Sequence, residues 1–378
     1  MKYDAIVVGA GPAGSSAAYN LATAGRKVLV LDKEVFPRYK PCAGAVSQKA
    51  LPLLDFNWQG AVESVPRTVI FSYHPERQVR VELEKPIIYL VARDRFDALL
   101  VNRAKQAGAE IKEGAMVESV CVEREEVAVK TRDGNSYRAS YVLGADGATS
   151  RIAHSLDLMK GRRFGAAVAV DVELDKEARP RHDGVIRVDC GAAPLGYGWI
   201  FPKDGYVSAG IGTSARGLNI NQYTNNYLDQ ESLGKAKIIS RQGYLLPSDG
   251  GSKKALTAHR AMLLGDAAGM VDPLTGEGIY YALKSGIIAA RAIIKKDSPE
   301  QIKEFYQHSI AKEIFPELSA ASRIAGLFYP FGDVLFNLVE LNQRIAGYLL
   351  KITSGEVSYR LKEADRKLLR VIREAVVT

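Results

Sequence analysis

The chain has 378 residues, 47% of them hydrophobic and 25% charged, which excludes a disordered or collagenous protein and suits one large or two to three small domains. Its three cysteines, Cys42, Cys121 and Cys190, have no C-x-x-C spacing, which argues against disulfides and cysteine-ligated metal and predicts a reducing, cytoplasmic setting. The net charge of +8 contains no block of five basic residues, so it reads first as a solubilising surface and second as attraction to an anionic membrane or an acidic partner; no nucleic acid is expected.

Met1-Lys2-Tyr3-Asp4 runs straight into an apolar strand at 5–8, so no secretory leader is expected, and no uncharged apolar run reaches the ~18 residues that span a bilayer. Gly9-Ala10-Gly11-Pro12-Ala13-Gly14 then opens a helix over 15–24, which Gly25 stops, and 28–31 is a second buried strand with Asp32 at its end. Residues 67–74 and 78–84 predict a hairpin, 87–91 a strand and 94–107 a helix. The segments 116–121, 126–131 and 137–143 alternate like a meander, with Asp133-Gly134 at one turn. Further strands are expected at 165–173, 184–189, 206–211 and 261–264. The last feeds a long helix over 278–295, and beyond Ser298 the pattern is helical to the end.

Gly9, Gly11 and Gly14 form G-x-G-x-x-G between a strand and a helix, where each glycine has a task. Gly9 makes the tight turn, Gly11 leaves room for a pyrophosphate, and Gly14 lets the helix pack on the sheet. The helix N-terminus offers free N–H groups and partial positive charge to a diphosphate, and Pro12 loses nothing there. Asp32 can accept both ribose hydroxyls of an adenosine and would repel a 2′-phosphate, which disfavours NADP. This unit does not separate FAD from NAD.

The far end of the chain does. Met262-Leu263-Leu264-Gly265-Asp266-Ala267-Ala268-Gly269, followed by Pro273-Leu274-Thr275-Gly276-Glu277-Gly278-Ile279, resembles the second flavin-binding segment of aromatic-hydroxylase-type flavoproteins. The resemblance implies that Asp266 bonds the ribityl chain and that Gly276 and Gly278 lie against the flavin pyrimidine edge, where a helix N-terminus stabilises reduced flavin. A plain helix N-cap is the alternative for Asp266. Tyr141-Val142-Leu143-Gly144-Ala145-Asp146-Gly147-Ala148 resembles the Asp-Gly motif of the same superfamily, and Arg93 resembles its flavin-proximal arginine. A simple turn is the plainer reading of Asp146-Gly147, as is helix capping and dipole compensation for Asp94 and Asp97.

Pro194-Leu195-Gly196-Tyr197-Gly198-Trp199-Ile200-Phe201-Pro202, with Gly210 beyond, matches P-x-x-Y-x-W-x-F-P-x7-G, and Lys40-Pro41-Cys42-Ala43-Gly44 resembles a second mark of the same family, the geranylgeranyl reductases. Ala43 and Ala45 interrupt that family's glycine run. The resemblance spans roughly residues 1–300 and implies an α/β fold with three parts. A Rossmann-like FAD-binding domain of the aromatic-hydroxylase/glutathione-reductase type would comprise 1–66, 87–164 and 256–297. An antiparallel β-sheet substrate domain would comprise 67–86 and 165–255, and a helical C-terminal region 298–378. It further implies that Tyr197, Trp199, Phe201 and Pro202 bind an isoprenoid chain beside the flavin, since aromatics give rigid apolar walls; packing in a core strand is the plainer reading.

The implied cofactor set is Gly9, Gly11, Ala13, Gly14, Asp32, Lys33, Cys42, Ala43, Gly44, Arg93, Asp146, Gly147, Asp266, Gly276, Gly278 and Ile279, with Cys42 and Tyr197 as catalytic candidates and no metal. An isolated alkene is a poor hydride acceptor, so protonation would accompany hydride transfer from FAD. A thiol is a weak acid for that task, which favours packing of Cys42 on the isoalloxazine over proton delivery. The expected substrate is a polyprenyl lipid or a prenyl diphosphate, with NAD(P)H or an acidic ferredoxin-like donor as reductant. The apolar segments 324–331 and 334–339 suggest peripheral attachment to the inner face of the cell membrane, or equally the packing of C-terminal helices. A flavin monooxygenase or halogenase, a membrane electron-transfer flavoprotein, and a non-catalytic isoprenoid carrier are the alternatives.

Overall fold

The structure, a computed structural model, describes residues 2–249, 254–342 and 344–359. Strand β1 (Lys2–Val8) is buried along its apolar second half, as a central parallel strand covered on both faces must be. It leads through the glycine turn into helix α1 (Pro12–Thr23), which returns the chain to β2 (Val28–Leu31) beside β1. The sheet order is Thr257–Ala258, Ala261–Leu263, Ser136–Gly144, β1, β2, Glu110–Lys112. All neighbours are parallel except the outermost pair. Strand Ser136–Gly144 serves twice. Its first half closes an antiparallel meander with Val127–Thr131 and Val117–Val122, and its second half lies between β1 and Ala261–Leu263. This one strand joins sequence ends about 250 residues apart.

The second sheet has seven strands in the order Ile238–Pro247, Phe164–Glu173, Tyr206–Thr213, Gly196–Pro202, Val185–Asp189, Thr68–Ser72, Gln78–Glu82. The expected hairpin is present, in register Thr68 opposite Glu82, and it enters this sheet by parallel pairing of Thr68–Ser72 with Val185–Asp189. Along Gly196–Pro202 the pleat sorts the aromatics. Tyr197, Trp199 and Phe201 share one face with Ala167, Ala169, Tyr244 and Leu246, while Ile200 packs on the other face beside Tyr227. A Cβ at Gly198 would stand 2.7 Å from the Tyr227 ring, so the backbone itself touches helix Ile220–Gln230.

Several elements escaped the sequence. Ala45–Ser47 and Val62–Ser64 flank Ile88–Val91 in a third, small sheet. Those two, with Glu110–Lys112, are three residues long and too short to show a period. Ile238–Pro247 is an edge strand with Ser, Arg and Gln among its apolar residues, and Ile220–Gln230 is a polar helix capped by Asn219, whose side chain accepts from the Gln222 N–H. The helical reading beyond Ser298 corresponds to Pro299–Glu313, Phe315–Phe328, Gly332–Leu341 and Arg344–Ser354; residues 360–378 lie outside the described ones. Among the described residues no single helix is long and apolar enough to cross a membrane.

Helix α1 crosses the long helix Ile279–Lys295 on small residues. A Cβ at Gly286 would lie 2.4 Å from the Ala13 carbonyl oxygen and 3.0 Å from the Ala17 nitrogen, and Ser16 Oγ donates to the Leu283 carbonyl. Gly286→Ala should gain roughly 1 kcal/mol of helix propensity. It should lose more than that to overpacking, which costs about 1–3 kcal/mol and here meets rigid backbone. A net fall in stability, read from urea unfolding, is therefore expected.

Candidate functional site

The turn between β1 and α1 is made of close approaches. Gly9 has φ +97°, and a Cβ there would lie 2.4 Å from the Ala145 carbonyl oxygen. A Cβ at Gly14 would fall 1.8 Å from the Gly9 oxygen, so the first turn of α1 is pressed onto the preceding loop. At Gly11 the only neighbour would be Arg38 Nη2, at 4.0 Å, and α1 begins there without a side-chain cap. The helix N–H groups thus face open space. Asp32 is buried, with Oδ2 accepting from the Ala10 N–H at 2.5 Å and Oδ1 from the Glu34 N–H at 2.8 Å. Each oxygen keeps a second lone pair for a hydroxyl. Lys33 is exposed beside Glu34, 3.5 Å away.

The Asp146 carboxylate serves its own turn, the plainer of the two readings of Asp146-Gly147. It accepts from Ser150 Oγ at 2.6 Å and from the Arg151 and Ile152 N–H groups, so the side chain is spent on starting helix Arg151–Ser155. Its backbone is what approaches the site, with Cα 3.1 Å from a Gly9 Cβ position. Gly147, at φ +80°, follows in open space.

Asp97 corrects the sequence reading outright. Helix α2 (Arg93–Gln106) is entered from Ala92 without a side-chain cap, and Asp97 is fully buried inside it. Its carboxylate takes Arg93 Nε at 2.9 Å and Nη2 at 2.8 Å in a fork, and Arg38 Nη2 at 2.9 Å. Burial lowers the Arg93 pKa, but the facing Asp97 and Cys42 outweigh it and hold the guanidinium charged. Arg38 keeps a buried Nη1 with no hydrogen-bond partner, and its Nη2 is the atom nearest the uncapped start of α1. Sequence reasoning did not single out Arg38. The signal was a basic residue in the loop Phe36-Pro37-Arg38-Tyr39-Lys40, indistinguishable there from a solvated charge.

The second segment comes from the opposite side. Asp266 lies in the single turn Gly265–Ala268, whose cap is Leu264, and the long helix is capped by Gly278, so Asp266 is not an N-cap. Burial raises the pKa of its carboxyl, and Lys40, Arg93 and Arg162 pull it back. Oδ1 would lie 3.4 Å from a Gly278 Cβ, and Arg162, also unforeseen, donates to the Asp266 carbonyl at 2.6 Å. Ala13 meets this turn from α1, since a Gly265 Cβ would lie 3.2 Å from its own. Ile279 starts the long helix and is buried among Val46, Val91 and Phe96.

Cys42 is half-buried, and its Sγ accepts from the Gly44 N–H at 3.3 Å. At Gly44, φ +71°, a Cβ would strike the Val91 oxygen at 2.2 Å and Lys203 Nζ at 2.8 Å. Lys203, buried directly after the aromatic strand, donates to the Val91 carbonyl at 2.7 Å and lies 3.7 Å from Glu63. Ala43 rests on the cluster of Tyr197, Trp199, Phe201 and Tyr244. Pro202 is buried at the strand's end. The Tyr197 hydroxyl donates to the Thr275 carbonyl at 2.6 Å, and burial raises its pKa. The catalytic candidate Tyr197 is thus anchored to the 273–279 loop through its hydroxyl.

These groups fit FAD. An uncapped helix start with a free arginine N–H suits the diphosphate, Asp32 the adenosine ribose, and Asp266 beside an uncapped glycine helix start the ribityl and pyrimidine end.

The model of the family described as "FAD binding domain" matches residues 2–208. The geranylgeranyl diphosphate reductase of Rhodobacter capsulatus is 32% identical over 322 residues, covering 80% of this chain and 78% of that protein. The digeranylgeranylglycerophospholipid reductase of Thermoplasma acidophilum is 31% identical over 401 aligned positions, covering 98% of each. The crystal structure of a geranylgeranyl bacteriochlorophyll reductase-like protein from Thermoplasma acidophilum superposes with a TM-score of 0.79 at 24% identity, over 100% of this chain and 96% of that one.

Asp97→Asn should leave two buried guanidinium groups facing a neutral amide. Breaking a buried pair in this way costs about 3–5 kcal/mol. Urea unfolding of the variant should show a loss in that range, together with weaker FAD retention on gel filtration.

Proposed function

Because this chain belongs to the FAD binding domain family and, within it, to the geranylgeranyl reductases, we propose that it is an FAD-dependent oxidoreductase that saturates C=C bonds of polyprenyl groups. The fold is the aromatic-hydroxylase-type FAD-binding fold. The observation that carries the reading is the aromatic face of Gly196–Pro202, which meets the Cys42 loop at Ala43 and the 273–279 loop at Thr275. FAD, once bound and reduced, supplies the hydride. The chain's own residues bind the diphosphate at α1 and Arg38, orient the flavin between Asp266 and Arg93, and wall off water with Tyr197, Trp199 and Phe201. Cys42 sits where this wall meets the buried cation Arg93, which suits a role in seating the isoalloxazine.

Anaerobic photoreduction followed by a geranylgeranyl lipid or geranylgeranyl diphosphate should reoxidise the flavin and add one H2 to the product mass per bond reduced. Reoxidation only when oxygen is admitted, with no saturated product, would remove this reading. Cys42→Ser keeps the size of the side chain. It should fold and bind FAD yet lose much of the alkene reduction or leave partly reduced products; reduction of every bond at the wild-type rate would make Cys42 structural.

The electron donor we favour is NAD(P)H or an acidic ferredoxin-like protein. The single glycine fingerprint is given to FAD, and the net charge of +8 suits an acidic surface. We place the protein in the cytoplasm, peripheral to the inner face of the cell membrane. Helices Phe315–Phe328 and Gly332–Leu341 meet at 95°; Leu327 and Phe331 are exposed at this bend and Leu341 at the far end of the second helix. Sedimentation with anionic vesicles should be salt-sensitive and should weaken in a Leu327→Ser/Phe331→Ser variant; no binding at low salt would refute the attachment.

A further inference from the structure

The loop that opens the long helix is held at two adjacent residues from both flanks of the molecule. Asp272 Oδ1 accepts from the Leu274 N–H at 2.9 Å and from the Thr275 N–H at 3.1 Å. The loop closes on itself through Gly276 N–H to the Asp272 carbonyl and Asp272 N–H to the Glu277 carbonyl, both at 2.9 Å. The two carbonyls of the same residues are taken from outside. Tyr197, on the substrate-side sheet, donates to Thr275 O at 2.6 Å, and Tyr329, at the end of helix Phe315–Phe328, donates to Leu274 O at 2.5 Å. Burial raises both phenol pKa values, so both hydroxyls stay protonated as donors. A Cβ at Gly276 would stand 2.9 Å from the Tyr197 oxygen, so the loop sequence itself makes room for the approach. The Leu274 side chain packs against Ala320, Ala321 and Ile352 of the C-terminal helices.

We propose that Tyr329 is a positioning residue: with Tyr197 it clamps the adjacent carbonyls of Leu274 and Thr275, and through them the C-terminal helices fix the uncapped helix start at Gly278 against the flavin. Four hydrogen bonds on two adjacent residues hold three successive peptide units, and a rigid dipole costs less to reorganise than a mobile one. The N–H groups that follow Gly278 are those that favour negative charge on a reduced flavin. Loss of the Tyr329 bond frees one end of the loop and lets this helix start retreat. The inference rests on the flavin lying at this loop, and on nothing about which alkene is reduced.

Tyr329→Phe in the FAD-loaded protein removes one oxygen atom from a half-buried ring. One net hydrogen bond of about 0.5–1.5 kcal/mol corresponds to a roughly two- to tenfold rise in the FAD dissociation constant. The midpoint potential of the bound flavin should fall, and hydrogen exchange should quicken in the peptide spanning 272–279 while β1 and the second sheet stay protected. Leu327→Ser changes an exposed side chain of the same helix end without touching the carbonyl and should leave exchange in 272–279 near wild type. Wild-type exchange, affinity and potential in Tyr329→Phe would overturn the proposal, as would equal loosening of 272–279 by Leu327→Ser. None of these readouts uses a polyprenyl substrate, so the clamp can fail while the reductase reading stands, and the reverse.

Discussion

The site exists because two helices from opposite ends of the chain touch through backbone. At the crossing of α1 with Ile279–Lys295 the Ala13 carbonyl stands where a side chain on Gly286 would be, and Ala13 also meets Gly265. Any larger residue at these points would push the two helix starts apart. Both starts lack side-chain caps, so both keep free N–H groups and partial positive charge, which in the function proposed above would serve a diphosphate and a flavin ring. The remaining parts of the site are arranged around that fixed distance.

Charge is then placed by a single buried carboxylate. Asp97 makes no contact that a helix needs, yet it holds Arg93 and Arg38 in one plane of reach. The desolvation of three charged groups is met by pairing and by a forked geometry, and one arginine N–H is still left over. The Arg38 guanidinium lies beside Gly11, where the proposed diphosphate would sit. Function here takes a group that stability alone would have satisfied.

The aromatic strand does a third job. Alternation along Gly196–Pro202 sends Tyr197, Trp199 and Phe201 to the Cys42 loop and Ile200 to the opposite helix. The same strand reaches the flavin loop through the Tyr197 hydroxyl. One element thereby carries the apolar face and braces the 273–279 loop, which in the proposed function would tie the shape of the substrate channel to the placement of the cofactor.

Much of this was legible in the sequence, and for local reasons. Glycine spacing, the acidic end of β2 and the period-two aromatics each report a short-range steric or hydrogen-bonding rule, so the βαβ opening, the two flavin segments and the family could be read directly. Three-residue strands and the polar edge strand Ile238–Pro247 could not, because they carry no period and owe their pairing to neighbours elsewhere. The roles of polar side chains were also decided in three dimensions. Asp146 serves its own turn, as its plainer reading had it, while Asp97, which looked like part of an ordinary helix start, bridges two arginines. Arg38, Arg162, Lys203 and Tyr329 carried no motif at all. A motif records what a residue does to its own backbone. What a carboxylate or a phenol binds depends on which partner burial brings within about 3 Å, and only the tertiary structure sets that.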